Sequence, residues 1–296
     1  MITSIGEILV DKFIIENRVS NALGGAPFNV AASIKRCGGH SSFVGAVGKD
    51  ELGQFLINKA SLLKLDDLYI SQLERYDTTI AKVTLTNGER DFKFVRSNGA
   101  DYHIEYPLPK FVEESNIVHI GSLMLSEPEG REFALKTIKY LQKHDILISF
   151  DINYREDIFK GQDNIKDIFK AIIEQVDILK ISDEEIDIFG HDYIYGLEDK
   201  LICLSLGSKG SMYKYNDLQG IVPTKKVKPV DTTGAGDAFF GAVLSQIDGY
   251  KLNELTKDYL DKAFAFANAV GALTTLGKGA IDPIPDKVTT IKFMNN

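Results

Sequence analysis

The residues most able to do chemistry are Asp231 to Ala242, DTTGAGDAFFGA. Gly234, Ala235 and Gly236 form a small-residue turn ahead of an apolar run that reads as a helix. Glycine lets successive backbone N–H groups turn toward one point. A helix start also leaves its first N–H groups unpaired and favours negative charge. Together these predict an anion site made without a basic side chain. Asp237 stands at its mouth. A carboxylate there would suit a general base that deprotonates a hydroxyl attacking a phosphoryl group. It would equally suit an N-cap that merely accepts a backbone hydrogen bond. The sequence leaves both readings open.

A second turn, Leu23-Gly24-Gly25-Ala26-Pro27-Phe28-Asn29, also precedes a helical pattern. Its glycines allow close approach to backbone, and Asn29 offers a donor and an acceptor to a polyol, or caps the helix. Asp11 and the Asp151-Ile152-Asn153-Tyr154-Arg155 stretch follow apolar strand-like runs, at the end where open α/β sheets hold ligands. Leu204 to Ser211, LSLGSKGS, is a strand entering a Gly-rich turn that matches neither GxxxxGK[ST] nor GxGxxG. Ser182-Asp183-Glu184-Glu185 has the capping-box form SxxE. His119 lies in an apolar run and reads as core.

These groups need a frame, and the pattern supplies one. Apolar runs at 2–8, 42–47, 117–120, 146–151, 178–181 and 201–206 alternate with amphipathic stretches at 29–37, 51–64, 128–143, 165–175, 237–247 and 258–276. That alternation predicts a mostly parallel sheet covered by helices. Residues 78–94 break the rhythm. Thr79 to Leu85 and Arg90 to Val95 alternate by twos around Asn87-Gly88, which predicts a hairpin, either a projecting lid or an edge addition to the main sheet.

Composition narrows the classes. The chain has 296 residues and a net charge of −8, which argues against broad nucleic-acid binding. Cys37 and Cys203 are isolated, which argues against a disulfide scaffold or a cysteine zinc site and suggests a reducing compartment, the cytoplasm. No run is long and apolar enough for a membrane span, and the first residues do not read as a signal peptide. No Pro/Gly/Ser-rich linker divides the chain, so one domain is expected over 1–296.

Taken together, GGAPFNVA at 24–31, VGAVGKDELG at 44–53, FKFVRSNGAD at 92–101, DINYRE at 151–156, KISDEE at 180–185, DTTGAGDAFFGA at 231–242 and GALTTLGKGAI at 271–281 resemble the ribokinase-like family of sugar kinases, and within it the fructokinases. The resemblance implies a three-layer α/β fold with a small β lid, formed by segments near 11–22 and 78–105. It implies transfer of the ATP γ-phosphoryl to a sugar hydroxyl, with Asp237 as base and Gly234, Ala235 and Gly236 as anion hole. Asp11, Gly24, Gly25, Asn29, Asp101, Asn153 and Arg155 match sugar-side positions. Ser182, Ser205, Gly207, Lys209, Gly210 and Asn268 match nucleotide-side positions. Glu185 matches a residue linked indirectly to magnesium. Asp231, Thr233, Thr274, Gly277 and Gly279 match loops that hold a monovalent cation, usually potassium. Relatives also imply a homodimer through the lid. Two departures bear on the substrate: Ser97-Asn98-Gly99-Ala100-Asp101 and Asp151-Ile152-Asn153 each lack a proline common in relatives. Fructose is favoured. Another sugar or sugar-acid kinase, such as a 2-keto-3-deoxygluconate kinase or ribokinase, or a non-catalytic sugar-binding regulator, are the alternatives.

Overall fold

The computed structural model describes residues 1–15, 18–86 and 89–296. Its strands are β1 (Ile2–Ile5), β2 (Leu9–Ile15), β3 (Arg18–Gly24), β4 (Ser41–Gly48), β5 (Asp67–Leu73), β6 (Ile80–Thr86), β7 (Glu89–Val95), β8 (Ile117–Ile120), β9 (Leu147–Asp151), β10 (Ile178–Ser182), β11 (Leu201–Ser205), β12 (Ser211–Tyr215) and β13 (Leu218–Val222). Nine of them form one sheet in the order β13-β12-β11-β10-β9-β8-β1-β4-β5. Pairing is parallel from β11 to β5 and antiparallel only at the β11–β12–β13 edge.

Side chains alternate across this sheet and feed two cores. Ile2, Phe43, Ile178, Leu201 and Cys203 pack on one face with Phe28, Phe240 and Phe264. Ile5, Val44, Leu179, Ile202 and Leu204 pack on the other with Phe133, Phe150 and Phe169. Burial on both faces explains why the central strands read as short continuous apolar runs. The helix Ala235–Ile247 is apolar nearly all round because it is enclosed. It packs against Ala26–Arg36 and Lys257–Thr274 over the sheet.

The first apolar run ends sooner than its hydropathy suggests. β1 stops at Ile5, and the chain leaves the main sheet to start β2 at Leu9. There it joins a separate four-stranded sheet, β3-β2-β6-β7. The hairpin expected at 78–94 belongs to this second sheet as the antiparallel pair β6–β7, so it is not an edge of the main one. The Asn87-Gly88 turn lies outside the described residues. Asp50 ties the two sheets together. Its carboxylate caps the helix Glu51–Ser61 through Gly53 N at 2.7 Å and accepts from Thr78 N at 2.8 Å and Thr78 Oγ1 at 2.7 Å, just ahead of β6.

β1 is flanked by β8 and β4, so the chain winds outward in both directions from it. That is the switch point at which open α/β sheets form a cleft beyond their C-terminal strand ends. Glu7 lies there, 2% exposed, and burial pushes its carboxyl up to about 8; the nearby Asp101 and Asp237 add to the rise against its own backbone hydrogen bond and Arg96. A folded pKa above the unfolded value means the native state holds an extra proton between about pH 4 and pH 8, so stability falls as pH rises through that window. Glu7→Gln removes this penalty. Melting curves should match wild type near pH 4 and shift several degrees upward at pH 8. A Glu7→Gln variant that melts no higher than wild type at pH 8 would contradict a protonated Glu7.

Candidate active site

The structure places Asp237 inside the helix it was expected either to cap or to serve as a base. The helix begins at Ala235, its N-cap is Gly234, and Asp237 is the third helical residue. Asp237 is therefore not the cap. Gly234 takes a left-handed φ of 73°, and a Cβ there would lie 2.6 Å from Ala280 Cβ, so only glycine lets the 279–281 loop pack this closely. The Ala235 N–H is taken by Thr232 O at 3.2 Å, and the first helical bond runs from Ala238 N to Gly234 O. The amides of Gly236 and Asp237 are those that a helix start leaves open. Asp237 Oδ2 accepts a hydrogen bond from Asn29 Nδ2 at 2.8 Å.

Asp11 comes from β2 in the second sheet, opposite Ala22 and Ala81. A Cβ on Gly24 would collide with Asp11 Oδ2, so Gly24 makes room for that carboxylate. Burial pushes Asp11 up to about 7, Asp237 and Asp231 push the same way, and Arg155 opposes them. Asp11, Gly24, Gly25 and Asn29 thus cluster beside Asp237, with Arg155 within electrostatic reach. Asp101 is differently placed. It is buried and ion-paired with Arg96, through Nε at 2.8 Å and the second guanidinium nitrogen at 2.7 Å, and accepts from Thr79. Its carboxylate is taken up inside the protein. Asn153 has a left-handed φ of 38° and its N–H donates to Asp151 Oδ1 at 3.2 Å.

On the other side of Gly236 opens a cavity of about 520 Å³. Ser205, Gly207, Gly210 and Asn268 line it; Lys209 and Ser182 do not. Ser182 instead forms the capping box with Glu185, receiving Glu185 N at 3.2 Å and returning its own N–H to Glu185 Oε2 at 2.8 Å. Glu185 Oε1 accepts Tyr154 N at 2.6 Å. Thr224, Val227, Thr232, Phe239 and Thr275 complete walls that the sequence did not reveal. Part of that wall is the 223–230 segment, which forms neither helix nor strand and carries no periodicity. Asn268 Nδ2 donates to Val222 O at 2.8 Å, which fixes the wall against the sheet edge.

Asp231 stitches two loops. Its Oδ1 accepts from Thr233 N at 3.0 Å and Thr233 Oγ1 at 2.7 Å, and its Oδ2 from Gly279 N at 3.0 Å. Val230 N and Asp231 N both reach Thr275 O. Thr274 Oγ1 bonds Val270 O within its own helix, so its hydroxyl serves the helix. Gly277 packs against Pro283. No group of three or more His, Cys, Asp or Glu able to hold a metal occurs among the described residues. His119 is buried against Ser149 and edge-on to Phe240, and burial, helped by Lys180, pushes it down to about 3, so it stays neutral in the core.

Comparison with known proteins agrees with this geometry. Residues 7–287 match the model of the pfkB family carbohydrate kinases. Fructokinase-1 of Oryza sativa subsp. japonica is 35% identical over 324 residues, spanning 100% of this chain and 98% of its own. A sugar kinase of Pyrococcus horikoshii, solved in complex with ATP, superposes with a TM-score of 0.85 at 34% identity, covering 99% of this chain and 97% of its own. A fructokinase of Vibrio cholerae O395, solved with fructose, ADP and calcium, has a TM-score of 0.86 at 27% identity, covering 99% of this chain and 98% of its own. The catalytic-looking helix start, the switch-point cleft and the full-length match agree: the chain belongs to the pfkB family of carbohydrate kinases.

Proposed function

We propose that this carbohydrate kinase transfers the γ-phosphoryl of ATP to the primary hydroxyl of fructose. One observation carries the reading. Asp237 sits on a helix start whose neighbouring residue, Gly236, lines the large cavity, while Asn29 holds Asp237 from the switch-point cleft. An acceptor alcohol in the cleft and a triphosphate in the cavity would meet at that carboxylate. Asp11 and Asn29 would hold sugar hydroxyls, and the open amides would stabilise charge on the moving phosphoryl. Fructose is favoured because fructokinases of plants and bacteria match along the whole chain.

The donor set fits a hydrated magnesium ion held mainly by phosphates, since both Glu185 oxygens already accept backbone N–H groups. When bound, magnesium would neutralise phosphate charge. The Asp231-stitched loops fit a monovalent cation among backbone carbonyls, with Asp231 and Thr233 on one side and Thr274 to Gly279 on the other. The second sheet, which supplies Asp11, is read as a lid that limits access of water.

Three measurements test this. In an ATP-coupled panel, fructose should give the highest kcat/KM; ribose or 2-keto-3-deoxygluconate about tenfold above it would replace the substrate but not the chemistry. Asp237→Asn should leave melting nearly unchanged and lower kcat by roughly 10²- to 10⁴-fold, the usual range for loss of a general base. A folded variant keeping more than about a tenth of wild-type kcat would defeat the base assignment. Rates in potassium, sodium and a bulky organic cation should differ several-fold, and equal rates would remove the cation site.

A further inference from the structure

Beneath the helix Ala235–Ile247 lies a cation that the reaction as described does not use. Lys180 is in β10 and 6% exposed. Its Nζ is 2.9 Å from Oδ2 of Asp151, the residue opposite it in the β9–β10 pairing, which is 2% exposed. On its other side is Gly236. A Cβ built on that glycine would lie 3.5 Å from Lys180 Nζ and 3.9 Å from its Cε. The ammonium therefore lies beside the first helical turn, where a side chain at 236 would stand against it.

Stability alone does not account for such a pair. Replacing a buried lysine–carboxylate pair with apolar residues of similar volume is often neutral or stabilising. The surrounding charge is more informative. Burial works against the ammonium, yet Asp151, Glu185 and Asp237 outweigh it and hold Lys180 above the usual lysine pKa. Several carboxylates thus act on one buried cation. A phosphoryl group passing Asp237 would meet that negative field unless a positive charge lay beside its path. Of the two lysines that line the cavity, Lys225 and Lys226, Lys225 turns its Nζ to Phe293 O at 2.8 Å and Met294 O at 2.9 Å.

We propose that Lys180 is a catalytic residue of this kinase: held under Gly236 by Asp151, its ammonium donates to a non-bridging oxygen of the phosphoryl group in flight. The inference rests on the reading of Asp237 and the neighbouring amides as the phosphoryl site. In the step itself the sugar oxygen bonds to the γ-phosphorus and its proton passes to Asp237. The bond from that phosphorus to the β–γ bridging oxygen breaks, and its electron pair leaves with ADP. Lys180 keeps its protons throughout and supplies charge only.

The test compares Lys180→Met with the double variant Asp151→Asn/Lys180→Met, which removes the charge pair without stranding a buried carboxylate and keeps an oxygen to accept Asn153 N. Melting, kcat, sugar KM and direct binding of ATP and ADP are measured, with Asp237→Asn alongside. The double variant should melt near wild type, keep sugar KM within about threefold and lose roughly 100-fold or more in kcat, the scale of one lost oxyanion donor. The ratio of ATP to ADP affinity should fall by about tenfold, because on this proposal it is the γ-phosphoryl, absent from ADP, that would meet Lys180. A double variant within about tenfold of wild-type kcat, or equal weakening of ATP and ADP, would overturn the proposal and leave Lys180 as a partner for Asp151 alone. If Asp237→Asn stays active too, the phosphoryl site itself has been misassigned; if only the lysine variants stay active, that site stands without Lys180.

Discussion

The hydrogen bond from Asn29 to Asp237 joins two helix starts that lie 208 residues apart in the chain. Its position depends on how closely the two helices approach. Ser33 Oγ donates to Ala238 O at 2.7 Å, and a Cβ on Gly241 would lie 2.6 Å from Val30 O. Gly241, the last glycine of the DTTGAGDAFFGA stretch, thus serves packing where Gly234 serves conformation. A substitution that pushed these helices apart would move the carboxylate proposed as the base, a role in which a shift of about 1 Å is costly. The small residues of this stretch are therefore one device, which sets the distance between the two halves of the cleft.

Much of the frame was legible because the central strands are buried on both faces. β8 matches its apolar run, Ile117–Ile120, to the residue. β5 escaped because it is an edge strand whose side chains are half-buried or exposed, and β12 and β13 because they form an antiparallel edge with mixed polarity. The break after Ile5 was hidden by hydropathy: Ile8, Leu9 and Val10 are as apolar as β1 but belong to a different direction of chain. Within the site, Asp237 and Asn29 could be read from the turns that precede their helices. Lys180 could not. Its partner lies on another strand, and a lysine in an apolar run shows its purpose only once Gly236 is known to lie over it. Asp101 shows the opposite limit, a polar residue in a recognisable motif whose carboxylate is spent on Arg96.

The second sheet is less independent than a separate sheet suggests. Only Gly6, Glu7 and Ile8 separate β1 from β2, and Thr78 is held by Asp50 just before β6. The starts of β2 and β6 are thus both pinned to the main sheet, one covalently at the switch point and one by hydrogen bonds to a helix cap. Val10 N also donates to Thr79 O at 3.0 Å, which locks these two strand starts to each other. Motion of this sheet would be a bend about that anchored edge, with the far ends of the strands travelling most. Asp11 lies one residue beyond Val10, close to the anchor, so it would keep its relation to Asn29 and Asp237 while the outer strands moved. On the proposed reading, Asp11 would hold sugar before any closure and would not need to be carried into position by it.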